Sequence, residues 1–278
     1  MLSLTLPLRI TYAAKRAAHR SPFMVYSRYG PPSSGSYGFG GLVPRGIKWL
    51  LIANTAIWLV YFLALHLGIG SLLGFFRAFS LVPSWLLRGA LWQPFTYLFL
   101  HDPSGFWHLL FNMLMLWMFG SDLERDWGRR RFMNYYFVCG VGAGLCDVAA
   151  RLLFGGNLST ATIGASGAIY GVLLAFGLLY PNRTILFALV FPIPARIFVA
   201  ILGAIAFLSA IGGPRDTVAH VAHLGGMVFG YFYLRHRPSF LDIDWADSYR
   251  RWQRRRAQRK FQVYMKKRNR PGGDDWVN

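Results

Sequence analysis

Residues 47–67 form an almost wholly apolar run of 21 residues whose only basic side chains, Lys48 and His66, stand near its ends. As a helix, such a run covers roughly the 30 Å of a bilayer's hydrocarbon layer, so it is expected to span a membrane. The rest of the chain agrees with that reading. Of its 278 residues, 54% are apolar and only 15% are charged, a balance that points to lipid rather than to a soluble domain.

Five further spans are expected at about 106–123, 132–154, 166–180, 194–211 and 217–233. Residues 75–93 are rich in aromatics and broken by Pro83. They are expected to lie amphipathically in the interface as part of a first outer loop. The fold class read from the sequence is therefore an all-α polytopic membrane protein with a six-helix bundle.

The formal charge of +19 is concentrated at particular places. With both termini inside, 26 of the 30 Lys and Arg residues fall on the cytoplasmic side, and only Arg77, Arg88, Arg151 and Arg215 fall outside. An odd number of spans would put a basic tail on the wrong side. Three regions follow: a flexible basic tail at 1–45, a membrane domain at 46–235, and a basic tail at 236–278 with helical character around 249–270. The tails are expected to meet anionic lipid, and no nucleic acid is expected, since no sequence-reading module accompanies them. A bacterial plasma membrane fits this layout best. The acid-free, basic start also fits a transit peptide and hence an organellar inner membrane. Cys139 and Cys146 stand two helical turns apart, too far for a disulfide.

Polar side chains inside spans are costly, and here they converge. His108 and Asn112, four apart, share one face near the outer start of the second span. Ser166 opens a fourth span of only ~22 Å, shorter than the hydrocarbon layer, so the serine is expected below the outer surface at the end of a buried loop. His223 lies about 9 Å down the sixth span, at a matching depth. Gly167 with Gly171 and Gly226 with Gly230 allow the fourth and sixth spans to approach closely. A serine beside a histidine base, with the free N–H groups of a helix start for an oxyanion, meets the needs of nucleophilic catalysis. Tyr170, one turn after Ser166, is placed to stack on His223. No acidic residue is read at that depth, which favours a dyad over a triad.

These residues resemble the motifs of the rhomboid family of intramembrane proteases. Gly164-Ala165-Ser166-Gly167 is similar to its Gly-x-Ser-Gly motif, and His108 to Asn112 to its His-x-x-x-Asn motif. The segment from His223 through Gly226 to Gly230 is similar to its His-x-x-Gly-x-x-x-Gly motif. Residues 120–128, with Glu124, resemble the segment that closes the family's second span. The resemblance covers about 47–235 and implies a six-helix core in which Ser166 attacks a peptide bond in or beside a substrate's transmembrane segment. It implies His223 as the base, an oxyanion hole from the Ser166 N–H with His108 and Asn112, and no metal or organic cofactor. One departure is Trp92-Gln93, where many members carry Trp-Arg.

Two other function classes fit parts of the pattern. A catalytically silent relative would bind membrane clients without cutting them. A metal-dependent hydrolase would use His220 with His223, although no carboxylate or cysteine is read at their depth.

Overall fold

A computed structural model of the chain describes residues 43–187, 191–211 and 217–236, with the isolated helical positions 256 and 258. The tail readings at 1–45 and 236–278 fall almost entirely outside these residues. Among the described residues the long helices are α1 (Arg45–His66), α5 (Phe106–Trp127), α6 (Arg129–Phe154), α7 (Ser166–Leu179), α8 (Ala195–Ile211) and α9 (Thr217–His236). They coincide with the six expected segments. Three short helices, α2 (Gly70–Phe79), α3 (Pro83–Leu86) and α4 (Gln93–Thr96), fill the stretch between α1 and α5, followed by a 3-10 turn at Tyr97–Phe99.

Helices α1 and α6 are each long and apolar enough to cross a membrane, both with a best-window mean hydropathy of 1.7. Helices α7 and α8 are apolar but shorter, with 14 and 17 residues. Two polar side chains of α1 and α5 are tied to backbone groups. Asn54 donates its amide back to the Leu50 carbonyl at 2.7 Å, which removes an orphan donor from an apolar helix. Glu124, at the end of α5, accepts the N–H groups of Gly46 and Ile47 at 2.7 Å each and so caps the start of α1.

Helix α7 stands at the centre, packed against α5, α6, α8 and α9. Its small residues account for that position. Ala168, Val172 and Ala175 are fully buried, and a methyl group on Gly171 would stand 3.0 Å from the Gly226 carbonyl of α9. On α9, a methyl on Gly226 would lie inside the van der Waals envelope of the Gly167 carbonyl oxygen and 2.8 Å from its carbon. The two backbones therefore touch at the level where α7 begins.

The structure departs from the sequence reading in two places. Residues between α7 and α8, read as a plain connection, form an antiparallel hairpin of β1 (Thr184–Phe187) and β2 (Phe191–Pro194), in register from Thr184 opposite Pro194 to Phe187 opposite Phe191. The fold is thus mostly, not wholly, helical. Arg151, counted among the charges on the outer side, is 5% exposed and paired with the fully buried Asp147 one turn earlier on α6.

Gln93 does the work of a tether. Its Oε1 accepts the Val82 N–H at 3.0 Å and its Nε2 donates to the Ala78 carbonyl at 3.2 Å. A neutral amide with a donor and an acceptor suits those two opposed backbone groups, which an arginine side chain cannot satisfy together.

Candidate active site

The chain enters α7 through Gly164 and Ala165. Gly164 sits at φ +123°, a conformation that L side chains rarely adopt, and its N–H donates to the Tyr97 carbonyl at 3.0 Å. Space demands glycine as well. A methyl there would stand 3.2 Å from His108 Nε2 and 3.9 Å from Ser166 Oγ, so the open side of Gly164 is bracketed by the two side chains. Intrahelical bonding in α7 begins with the Ile169 N–H donating to the Ala165 carbonyl at 3.0 Å. The N–H groups of Ser166, Gly167 and Ala168 precede it, at the positive end of the helix dipole.

Ser166 Oγ and His223 Nε2 lie 2.8 Å apart. The residues come from different helices, 57 positions apart, and meet because Gly226 lets α9 touch α7 one turn below. The Tyr170 ring stacks on the imidazole at 4.2 Å between centroids and 2° between planes. Since Ser166 and Tyr170 are four apart on α7, the imidazole lies along one turn of that helix, with its edge on the hydroxyl and its face on the phenol. His223 Nδ1 is buried and has no hydrogen-bond partner among the described residues. His220 meets His223 edge to face, with centroids 5.8 Å apart.

His108 reaches the same place from α5. Its Nδ1 faces the Asp102 N–H at 3.5 Å, so the neutral ring carries its proton on Nε2, the nitrogen that faces Gly164. Asn112, expected as a second donor, spends one amide hydrogen on the His108 carbonyl at 2.8 Å. The bond uses one of the two amide hydrogens and fixes the amide against the turn that carries His108.

Before α5, Asp102 accepts the Ser104 hydroxyl at 2.6 Å and its N–H at 2.9 Å, and these bonds hold its carboxyl below the usual range. His101 is fully buried, its ring 5.2 Å from that of His108. Burial, with the neighbouring His108, pushes its pKa from 6.5 down to about 3. A base with a depressed folded pKa binds fewer protons folded than unfolded, so stability is complete above 6.5 and declines as the pH falls toward 3. The expected slope is about 1.4 kcal/mol per pH unit within that window. Melting curves from pH 7 to 5 check it: His101→Leu should flatten the decline, and an identical decline in both proteins would show that another group is responsible.

Sequence reasoning missed one cluster, Asp147, Arg151 and Thr162. Arg151 donates from Nε to Asp147 Oδ1 at 3.1 Å and from Nη2 to Thr162 Oγ1 at 2.7 Å, while the Thr162 hydroxyl donates to Asp147 Oδ2 at 2.6 Å. The signal was present as opposite charges four apart in an apolar helix.

Comparison with known proteins agrees with the motifs. Residues 88–237 match the family model described as Rhomboid domain. Rhomboid protein 1, mitochondrial, of Saccharomyces cerevisiae is 38% identical over 133 residues, 46% of this chain and 37% of the yeast protein. Rhomboid protease GluP of Bacillus subtilis is 33% identical over 54% of this chain and 26% of its own. Rhomboid-like protein 16, chloroplastic, of Arabidopsis thaliana is 25% identical over 71% of this chain and 67% of its own. The chain thus spans well under half the length of the yeast and Bacillus relatives.

Proposed function

The chain belongs to the rhomboid family of membrane proteins, and from that premise we propose that it is an intramembrane serine endopeptidase. Its substrates are membrane proteins cut in or beside a transmembrane segment. The observation that carries this reading is the 2.8 Å approach of Ser166 Oγ to His223 Nε2, with the imidazole stacked on Tyr170.

In the proposed reaction Ser166 Oγ attacks the scissile carbonyl carbon while its proton passes to His223 Nε2. The negative charge on the former carbonyl oxygen is met by His108 Nε2–H and the Ser166 N–H, with the remaining Asn112 hydrogen as a further donor; each such donor is worth a factor of roughly 10²–10³ in rate. The C–N bond then breaks, and His223 returns its proton to the leaving amine. Water attacks the acyl ester, losing its proton to His223; the bond to Ser166 Oγ then breaks, His223 returns that proton to Oγ, and the carboxylic product leaves. Tyr170 holds the ring plane while the charge on His223 comes and goes. The residues supply nucleophile, base and donors without a metal or organic cofactor.

The six long helices are taken as six spans with both termini cytoplasmic, supported by the charge distribution, and the basic tails as contacts for anionic lipid. We place the protein in a bacterial plasma membrane. A second reading, an organellar inner membrane, is favoured by the acid-free basic segment at the start of the sequence and by similarity to a yeast relative named as mitochondrial.

The test is cleavage of a single-span substrate by the purified protein in detergent with a chelator present. A product of defined mass is expected. Retention of the substrate without any product would replace proteolysis by client binding, and loss of cleavage on chelation would replace the dyad by a metal-dependent reaction.

A further inference from the structure

The loop from Gly155 to Ser166 has to deliver the serine at a fixed height and angle, and it has no regular structure of its own. What holds it is a buried ionic group on the helix before it. Arg151 Nη1 donates to the carbonyls of Asn157 at 2.8 Å and Thr160 at 3.1 Å, and Nη2 donates to the Thr162 hydroxyl. Thr162 is gripped twice. Its hydroxyl donates to Asp147, and its backbone exchanges two hydrogen bonds with Leu81 of the outer loop, the Thr162 N–H donating at 2.8 Å and the carbonyl accepting at 3.0 Å. Two residues on, the Gly164 N–H is held by the Tyr97 carbonyl. Only Ile163 and Ala165 stand between these clamps and the serine.

Asp147 is fully buried and Arg151 5% exposed. Burying such a pair costs desolvation that its attraction roughly offsets, so net stability is a poor explanation for its presence. Its geometry is a better one. A guanidinium presents donors in several fixed directions, and here they tie three successive points of one loop to a single turn of α6.

We propose that Asp147, Arg151 and Thr162 are positioning residues that set the height and orientation of Ser166 by locking the loop before it to helix α6 and to the outer loop. The inference rests on Ser166 being the nucleophile. None of the three need touch the substrate; they act through the residues between Thr162 and Ser166. Loosening this lock is expected to misplace the nucleophile, which affects the chemical step more than substrate binding.

The informative variant is Thr162→Val. It keeps the side chain's shape and leaves Arg151 and Asp147 paired, so no charge is stranded. Cleavage of a single-span substrate should show kcat lowered about tenfold or more with KM within about twofold, and Thr162→Ser should restore most of the loss. Hydrogen exchange at 157–165 should rise in Thr162→Val while the core of α7 stays protected. A second variant, Asp147→Leu with Arg151→Met, removes both charges together and should fold yet show the same kcat loss and the same local exchange. Unchanged kcat and unchanged loop exchange in both variants, with only a shifted melting temperature, would overturn the proposal and leave the cluster a plain stabiliser. If the wild-type protein cleaves nothing, or cleaves as well with Ser166→Ala, it is the proteolytic reading that fails. The loop exchange then decides the positioning claim alone, and wild-type exchange in Thr162→Val would overturn it.

Discussion

Ser166→Ala and His223→Ala are each expected to reduce cleavage of a single-span substrate by about 10⁴-fold or more, and the double variant to lose no more than either alone. The reason is that the two side chains act as one unit: at 2.8 Å the hydroxyl's proton has one acceptor, and neither group performs the reaction without the other. Both substitutions remove atoms from a half-buried site without stranding a charge, so melting temperatures should stay near the wild-type value. Tyr170→Leu gives a graded companion result. It removes the stacking face but neither reacting atom, so it should cost far less than loss of His223. Multiplicative losses in the Ser166 and His223 double variant would indicate two independent contributions and would contradict the paired geometry.

The second large effect concerns a glycine with no polar atom to offer. Gly226→Ala places a methyl against the Gly167 carbonyl, and backbone on both sides leaves no side chain to give way. Helix α9 has to move away from α7 by about an ångström, a displacement of the size that costs on the order of 10²-fold in a reaction depending on oriented groups. Overpacking of this kind also costs about 1–3 kcal/mol in stability. The effect should therefore appear in both kcat and thermal stability. Gly203→Ala on α8 is the control, because its added methyl would meet only the flexible end of Met227, the sulfur at 3.6 Å and the Cε at 3.7 Å, both ordinary contacts, and it should be close to neutral. Equal behaviour of the two variants would mean that close approach of α7 and α9 is not what brings His223 to Ser166.

Much of this site was legible in the sequence because lipid makes polar residues conspicuous. Ser166, His223, His108 and Asn112 stand out in apolar runs, and the small residues at Gly167 and Gly226 give the reason their helices touch. The shortness of α7 was also readable, as an apolar run from Ser166 to Tyr180 too short for the hydrocarbon layer. Other features needed three dimensions. Arg151 was assigned by which side of the membrane it faced, so its pairing with Asp147 was lost, although both residues lie on one helical face. Asn112 was read as an oxyanion donor, and its bond to the backbone was not foreseen. An asparagine in an apolar helix satisfies itself on the carbonyl four residues back, here His108, and Asn54 does the same with Leu50. The β1–β2 hairpin escaped because its apolar residues lack the two-residue turn signature and carry Pro192 and Pro194, which weigh against a strand. With two strands only, both prolines lie on edges, where a missing donor costs little.

The basic ends and the catalytic centre are separate matters chemically. Arg129, Arg130 and Arg131 begin α6, far along that helix from Asp147 and Arg151 near its other end. One turn of α6 thus carries charge for the loop before Ser166, and the opposite end carries the arginines that the proposed topology puts at the cytoplasmic surface.

The most direct measurement is covalent labelling by a serine-directed fluorophosphonate, with the modified residue located by mass spectrometry. The dyad account expects one labelled residue, Ser166, in the wild-type protein and labelling reduced to background in His223→Ala. Undiminished labelling of Ser166 without His223, or labelling confined to a different serine, would contradict it.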